Sequence, residues 1–307
     1  YTTGHTLSLH DALPICKYGF ATAWWNTITG WYESDKAAPN IKYTFNVDVT
    51  CIVPTPAAEL TTAIDARDEW GDALSKGRVV EAVWDIETYR RLVSAAPPTP
   101  ADRDYTIFTL ATAYSWHADM PTSLVAAFVD GPCRVPRDRG IVVFVCRSEK
   151  ETLQTWSALH ARMNPDIIAA FNGGNFDWPV TIEKMRRYGQ LIMLESHISC
   201  NARRRASDAE VKKWCFRSES IKIDAENNHE LQVVAQFSGI IDVDVLPTML
   251  RLYPRAEVPK LASLNFFLAK MKLPSKEDMP YTRMFRIYER AVKMRALAAT
   301  GCHCVAS

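Results

Sequence analysis

The ten residues AVWDIETYRR, 82–91, set two carboxylates inside what otherwise reads as a buried strand, and no other feature constrains the fold as much. Ala82, Val83, Trp84 and Ile86 are residue types that fill a sheet. Side chains two apart on a strand share a face, so Asp85 and Glu87 stand side by side. Like charges at that spacing repel and raise each other's pKa unless something positive lies between them. A fold that keeps both acids must supply that charge.

At 307 residues the chain accommodates one large or two ordinary domains. Its hydrophobic share of 48% and charged share of 23% are those of a globular protein. A formal net charge of +1 carries no global attraction for an acidic partner, so any nucleic-acid contact rests on local patches. No apolar run reaches the roughly 18 residues that a membrane-spanning helix needs. The eight cysteines are scattered without CxxC pairs and are expected to be reduced thiols of an intracellular protein. Cys302-His303-Cys304 lacks a second ligand pair, so no zinc site is expected there.

Both ends read as foreign. HTLSLHDALPI, residues 5–15, resembles the translation of a sequencing-library adapter, which marks 1–15 as a scar outside the fold. ATGCHCVAS, 299–307, follows a good helical pattern abruptly and is expected to be a frame error or a truncation.

Between them, β-rich runs are expected at 42–53, 78–87, 105–116, 123–129 and 140–146. Ser148, with Glu151 as a capping-box partner, opens a helix to Met163. A short strand at 166–171 leads through Asn172-Gly173-Gly174 into a helix over 177–188. Residues 189–238 read as a basic insertion ending in a hairpin that turns at Asn227-Asn228. A core strand at 239–243 and helices near 246–252, 261–271 and 281–297 complete an α/β pattern. His117, His160, His197 and His229 have no ligand spacing and are expected at the surface.

Three acidic features occur in order: Asp85-Ile86-Glu87, the turn Asn172-Gly173-Gly174-Asn175-Phe176-Asp177, and Ile241-Asp242-Val243-Asp244. Carboxylates gathered at strand ends make a hard, oxygen-rich site suited to Mg²⁺ or Mn²⁺. Two such ions about 4 Å apart can activate water and stabilise the leaving oxygen of a phosphodiester. Each feature also has a plain structural use: a solvated strand edge for Asp85 and Glu87, a helix N-cap for Asp177, a cap or ion pair for Asp242 or Asp244. The ordered combination favours the metal site.

The same residues resemble the 3′–5′ exonuclease region of family B DNA polymerases, most closely that of large DNA viruses of eukaryotes. Trp84-Asp85-Ile86-Glu87-Thr88 is similar to the family's first exonuclease motif, and the run from Pro165 to Asp177 to its second. Gly239–Asp244 and the segment from Lys260 to Glu289 are similar to the strand and helices that follow in that family. The resemblance implies a ribonuclease H-like exonuclease domain over 78–298, a mixed sheet flanked by helices, with a β-hairpin insertion over 189–238. It assigns 16–77 to a partial N-terminal α+β domain. Asp85, Glu87 and Asp177 would hold two Mg²⁺ or Mn²⁺ ions, with Asp85 as the bridge. Thr88, Asn172 and Phe176 would line the pocket for the single-stranded 3′ end of a DNA primer, Phe176 being equally suited to the core.

The family's third motif, Tyr-x-x-x-Asp, is not found: no aspartate follows Asp278. The polymerase palm motifs are absent as well. The implied protein is a fragment of a DNA-directed DNA polymerase bearing its proofreading exonuclease, which lacks the fourth carboxylate. Two alternatives are a free-standing exonuclease of the same fold and a non-catalytic DNA-binding remnant. DNA is the implied partner, with a sliding clamp engaging missing regions and no membrane contact. The implied location is intracellular, in the host nucleus or a viral replication site, or in the nucleus if the gene is cellular.

Overall fold

A computed structural model describes residues 26–33, 45–56, 58–59, 62, 79–90, 98–116, 124–133, 140–199, 205–253, 258, 263–276 and 279–299. The adapter-like run, residues 300–307, Arg203, Arg204 and His117 lie outside them; Arg205, which is described, pairs with Glu195. Among the described residues, Cys51, Cys133, Cys146 and Cys215 are free thiols. No helix there is long and apolar enough to cross a membrane.

Four short strands come first: β1 (Asn26–Ile28), β2 (Tyr32–Glu33), β3 (Phe45–Asn46) and β4 (Ile52–Pro54). They pair antiparallel as β1 with β4 and β2 with β3, apart from the main sheet. The expected continuous strand over 42–53 is therefore broken. Asp48 accepts hydrogen bonds from the backbone N–H and hydroxyl of Thr50, and a 3-10 turn over Val49–Cys51 replaces strand there. A short polar side chain that bonds its own backbone two residues on competes with the ladder in this way.

The main sheet has six strands: β5 (Val80–Arg90), β6 (Tyr105–Trp116), β7 (Leu124–Asp130), β8 (Ile141–Cys146), β9 (Ile167–Ala170) and β12 (Ile241–Asp244). Their spatial order is β12-β9-β5-β6-β7-β8. Strands β5, β6 and β7 form an antiparallel meander, β8 runs parallel to β7, and β9 and β12 run parallel to β5. The sheet is mixed, as expected, and its strands fall within a few residues of the sequence reading.

Ala82, Trp84 and Ile86 of β5 are buried with Leu110, Tyr114, Ala126 and Phe128 of its neighbours. Helix α1 (Glu149–Met163) covers this face with Leu153 and Trp156. It is followed by α2 (Asp177–Arg187), α3 (Leu191–Ile198) and α4 (Asp208–Cys215). Trp84 packs tilted on Trp156 at 5.0 Å and edge-on against Trp178 of α2 at 4.7 Å, so three indoles join strand and helices. Burying large aromatic rings together is worth more than their area alone. Alternation then turns Asp85 and Glu87 to the opposite face.

Strands β10 (Phe216–Lys222) and β11 (Asn228–Ala235) pair antiparallel as a hairpin. Asp224 closes its turn by accepting from the N–H groups of Glu226 and Asn227, so Asn228 already belongs to the strand. Three helices complete the described chain: α5 (Val245–Leu252), α6 (Leu264–Lys270) and α7 (Tyr281–Ala299). Helix α7 docks through Tyr288, whose ring meets Phe108 at 4.8 Å and whose hydroxyl donates to Asp130 at 2.6 Å. Arg295 on the same helix pairs with Asp130, so this residue is not part of a free basic face.

Two local expectations need correction. Ser148 accepts from the Glu151 N–H, but the Glu151 carboxylate reaches past the cap to the N–H of Arg147 at 2.7 Å. The reciprocal arm of the capping box thus lands one residue early. His160 is buried, not at the surface: it continues the inward stripe of Leu153 and Trp156, and its Nδ1 lies 3.0 Å from the Tyr114 hydroxyl. Burial pushes its imidazole down to about 4. His197 is half-buried against Ser157, and the His229 ring faces Asn175.

A buried ion pair locks α1 to α2. Lys184 lies 3.2 Å from Glu149 and also donates to the Tyr105 carbonyl, while Glu149 accepts from the Ile107 N–H and the Tyr188 hydroxyl. Removing one partner strands the other charge in the core, at a cost of about 3–5 kcal/mol. Urea unfolding of Lys184→Met is expected to show a loss of that order. The double variant Lys184→Met with Glu149→Gln is expected to lose less than Lys184→Met alone, and equal or greater loss in the double would contradict the pairing.

Candidate functional site

Strands β5, β9 and β12 are parallel, so their C-terminal ends lie on one side of the sheet. Sites in open α/β sheets gather at such ends. Pairing of β5 with β9 stops at Val83↔Ala169, and the two chains then diverge. Asp85 and Glu87 therefore lie just past the last rung, beside the turn that leaves β9.

That turn is built by backbone requirements. Asn172 adopts φ 62°, a left-handed conformation that asparagine tolerates better than most residues. A Cβ on Gly173 would lie 2.5 Å from that of Ala170, and one on Gly174 would lie 2.7 Å from the Val233 carbonyl oxygen. Only glycine fits at either place. The Asn172 carbonyl accepts from the N–H groups of Asn175 and Phe176, and α2 begins at once.

The carboxylate of Asp244, at the end of β12, holds the turn in place. Its Oδ1 accepts from the N–H of Asn172 at 2.9 Å and of Leu246 at 3.0 Å, and its Oδ2 from the N–H of Gly174 at 3.0 Å. Asp244 is thus the N-cap of α5 and a clamp on the Asn-Gly-Gly turn. Asp242 accepts from the Trp178 indole at 3.0 Å and from the Ala235 N–H at 2.8 Å, and burial pushes its carboxyl up to about 6. Both acids of β12 have the structural use that the sequence left open. Asn175 adds a latch to the hairpin, accepting from the Gln232 N–H and donating to the Glu230 carbonyl.

Asp177 is not an N-cap. Phe176 holds that position without a side-chain hydrogen bond, and Asp177 is the first residue of α2. Its Oδ1 accepts from the N–H of Ile86 at 3.2 Å, a contact spanning 91 residues of sequence. Ile86 is the residue between Asp85 and Glu87, so the second motif's acid touches the backbone of the first motif's pair. Asp177 is only 2% exposed. Burial first, and the charge of Asp85 next, push its carboxyl up to about 7. Burial likewise raises Glu87, with Asp85 adding to the rise.

Lys276 supplies a positive charge at the pair, and sequence reading missed it. From the loop after α6, its Nζ reaches Asp85 Oδ2 at 3.1 Å across 191 residues. Its backbone N–H donates to Asn265 on α6, which fixes the loop. Nothing about Lys276 in the sequence separates it from the other lysines. The cap offered for Asp242 or Asp244 falls to Asp244, an aspartate directly before the apolar start of a helix.

The remaining expected residues surround this core. Thr88 follows a bulge at which Glu87 pairs with Thr109 but Thr88 pairs with Ile107. Asn172 and Phe176 sit in the turn, and Phe176 packs, partly buried, against the main core. The donor set of Asp85, Glu87 and Asp177 is all carboxylate oxygen, which fits a hard divalent cation. Two of the three are pushed toward their protonated forms and one is neutralised by lysine, as expected of acids awaiting positive charge. Among the described residues, no group of three or more histidine, cysteine, aspartate or glutamate side chains is already gathered for metal ligation.

The raised Asp177 carboxyl gives stability a pH dependence. The folded state takes up this proton more readily than the unfolded chain, whose aspartate titrates near 3.8. That contribution is fully present below about 3.8 and is lost as pH rises through about 7. With chelator present, Asp177→Asn is expected to unfold at a higher temperature than the parent at pH above 7, the gap closing near pH 4. A melt series with a constant gap would contradict this.

Comparison with known proteins identifies the family. The family described as DNA polymerase family B, exonuclease domain, matches residues 28–253. Similar curated proteins include "DNA polymerase beta" of African swine fever virus isolate Warthog/Namibia/Wart80/1980, 29% identical over 210 residues, covering 67% of this chain and 16% of that protein. The namesake from isolate Pig/Portugal/Lis 60/1960 is 30% identical over 210 residues, with the same coverage. That of isolate Tick/Malawi/Lil 20-1/1983 is 29% identical over 222 residues, 71% of this chain and 17% of that protein. The chain spans about one sixth of the length of these relatives.

Proposed function

Because the chain belongs to the exonuclease-domain family of family B DNA polymerases, we propose that it carries a divalent-metal-dependent 3′–5′ proofreading exonuclease. Its reaction is hydrolysis of the terminal phosphodiester of DNA, releasing a deoxynucleoside monophosphate. The observation that supports this most is the hydrogen bond from the Ile86 N–H to Asp177, which joins the second motif's carboxylate to the strand bearing Asp85 and Glu87.

Asp85, Glu87 and Asp177 would hold the divalent ions, Mg²⁺ or Mn²⁺. When bound, such ions lower the pKa of water and stabilise the leaving oxygen. The chain's own residues do the rest. Asp244 holds the turn so that Asp177 faces β5. Asp177, its carboxyl pushed up to about 7 by burial and by Asp85, holds a proton in part at neutral pH, and a bound cation would favour its ionised form. Thr88, Asn172 and Phe176 line the approach for a frayed, unpaired 3′ end, which is gripped by stacking and backbone contacts without sequence preference. The relatives' names imply DNA synthesis, which is proposed only for a longer protein.

A second reading is a non-catalytic DNA-binding remnant. Lys276 already pairs with Asp85, and among the described residues no three histidine, cysteine, aspartate or glutamate side chains are pre-gathered. A 5′-labelled single-stranded oligonucleotide separates the two. The exonuclease shortens it from the 3′ end with Mg²⁺ or Mn²⁺ and stops with chelator. Asp85→Ala and Asp177→Ala are each expected to slow that release about 100-fold or more. Metal-independent binding with no shortening supports the remnant.

A further inference from the structure

The turn that leads into α2 carries two asparagines whose amides are ordered as a relay. A backbone N–H can only donate, so the N–H of Gln232 on β11 fixes which end of the Asn175 amide is which: Oδ1 accepts from it at 3.1 Å. The Asn175 nitrogen is left to donate, to the Glu230 carbonyl at 3.0 Å and to Asn172 Oδ1 at 3.4 Å, with His229 Nε2 at 3.3 Å. The orientation then passes to Asn172. With its oxygen taken by Asn175, it must present its nitrogen elsewhere, and that nitrogen has no partner among the described residues. The Asn172 backbone is fixed as well. It is left-handed, its N–H is held by Asp244, and its carbonyl accepts from Asn175 and Phe176.

We propose that Asn175 is a positioning residue: through it, strand β11 orients the Asn172 amide so that Asn172 offers a hydrogen-bond donor to the DNA strand. This rests on the reading of Asn172 as a contact for the frayed 3′ end. The matching group on the ligand is then an acceptor, a phosphate or deoxyribose oxygen, which every nucleotide carries whatever its base. Turned by 180°, the same amide would aim its carbonyl at that oxygen, acceptor against acceptor. An asparagine side chain alone has no preference between the two orientations. The Gln232 N–H supplies one, two residues removed from the contact itself.

Fluorescence anisotropy of a 5′-labelled single-stranded oligonucleotide, with chelator to stop hydrolysis, reads the grip by itself. Asn172→Ala and Asn175→Ala are each expected to weaken binding about three- to tenfold, the range that one hydrogen bond is worth. The double variant decides the route. If Asn175 acts through Asn172, Asn175→Ala costs nothing further in an Asn172→Ala background. A residue that only latches the hairpin costs the same in both backgrounds. Circular dichroism checks that each variant is folded. Asn175→Asp, which keeps the oxygen at Gln232 and loses the donor, repeats the cycle at near-parent shape, and its added charge acts alike in both backgrounds and cancels. Parent-like binding by Asn175→Ala, or an unchanged penalty in the Asn172→Ala background, overturns the proposal. Binding that obeys the cycle, with no shortening once Mg²⁺ or Mn²⁺ replaces the chelator, supports the proposal and removes the exonuclease. No binding by the parent removes both.

Discussion

The carboxylate of Asp244 accepts three backbone N–H groups from two separate parts of the chain, and the site's geometry follows from that grip. A turn through Asn172, Gly173 and Gly174 would otherwise carry donors pointing into a crowded strand end with no partner. Leaving such donors buried and unpaired costs about 1–3 kcal/mol each. Clamped by Asp244, the turn enters α2 in the one direction that brings Asp177 to the Ile86 N–H. A residue of β12 thus fixes the angle between a β9 turn and a β5 strand. The carboxylate that fixes the site is not itself among the proposed ligands.

Around that frame the acids are frustrated in a directed way. Asp177 is buried and faces Asp85, while Glu87 is raised by burial and by the same neighbour. A chain optimised for stability alone would replace at least one of them. Asp177 accepts from the Ile86 backbone and Asp85 from the Lys276 ammonium, so the acids are held apart from one another with oxygens left available. The core beneath carries the cost through the indole cluster of Trp84, Trp156 and Trp178, directly behind Asp85 and Glu87. A strand so heavily packed on one face can hold unfavourable charge on the other.

Much of this was legible in the sequence because it is local. The alternation at 82–87 told which face each side chain takes, and Asn172-Gly173-Gly174 marked the turn. What escaped came from contacts at long range. Lys276 carries no local signature, since its role depends on where the α6 loop lands. Buried His160 was misread because attention to ligand spacing obscured its helical register with Leu153 and Trp156. The break near Thr50 came from a competing side-chain bond that composition does not reveal. Asp177 was legible as a metal ligand and also as a cap, because both uses place an aspartate at a helix start; the fold removes the cap use, since Phe176 holds that position.

Strand β5 does not end at the carboxylates. Two residues past Glu87, Tyr89 donates to Glu289 and packs its ring on Phe285 and Tyr288. The final helix is in effect bolted to the same beam that carries the acids. Mechanical load applied at α7 is thereby delivered toward Glu87 through a pair of peptide units, across the bulge that separates Glu87 from Thr88.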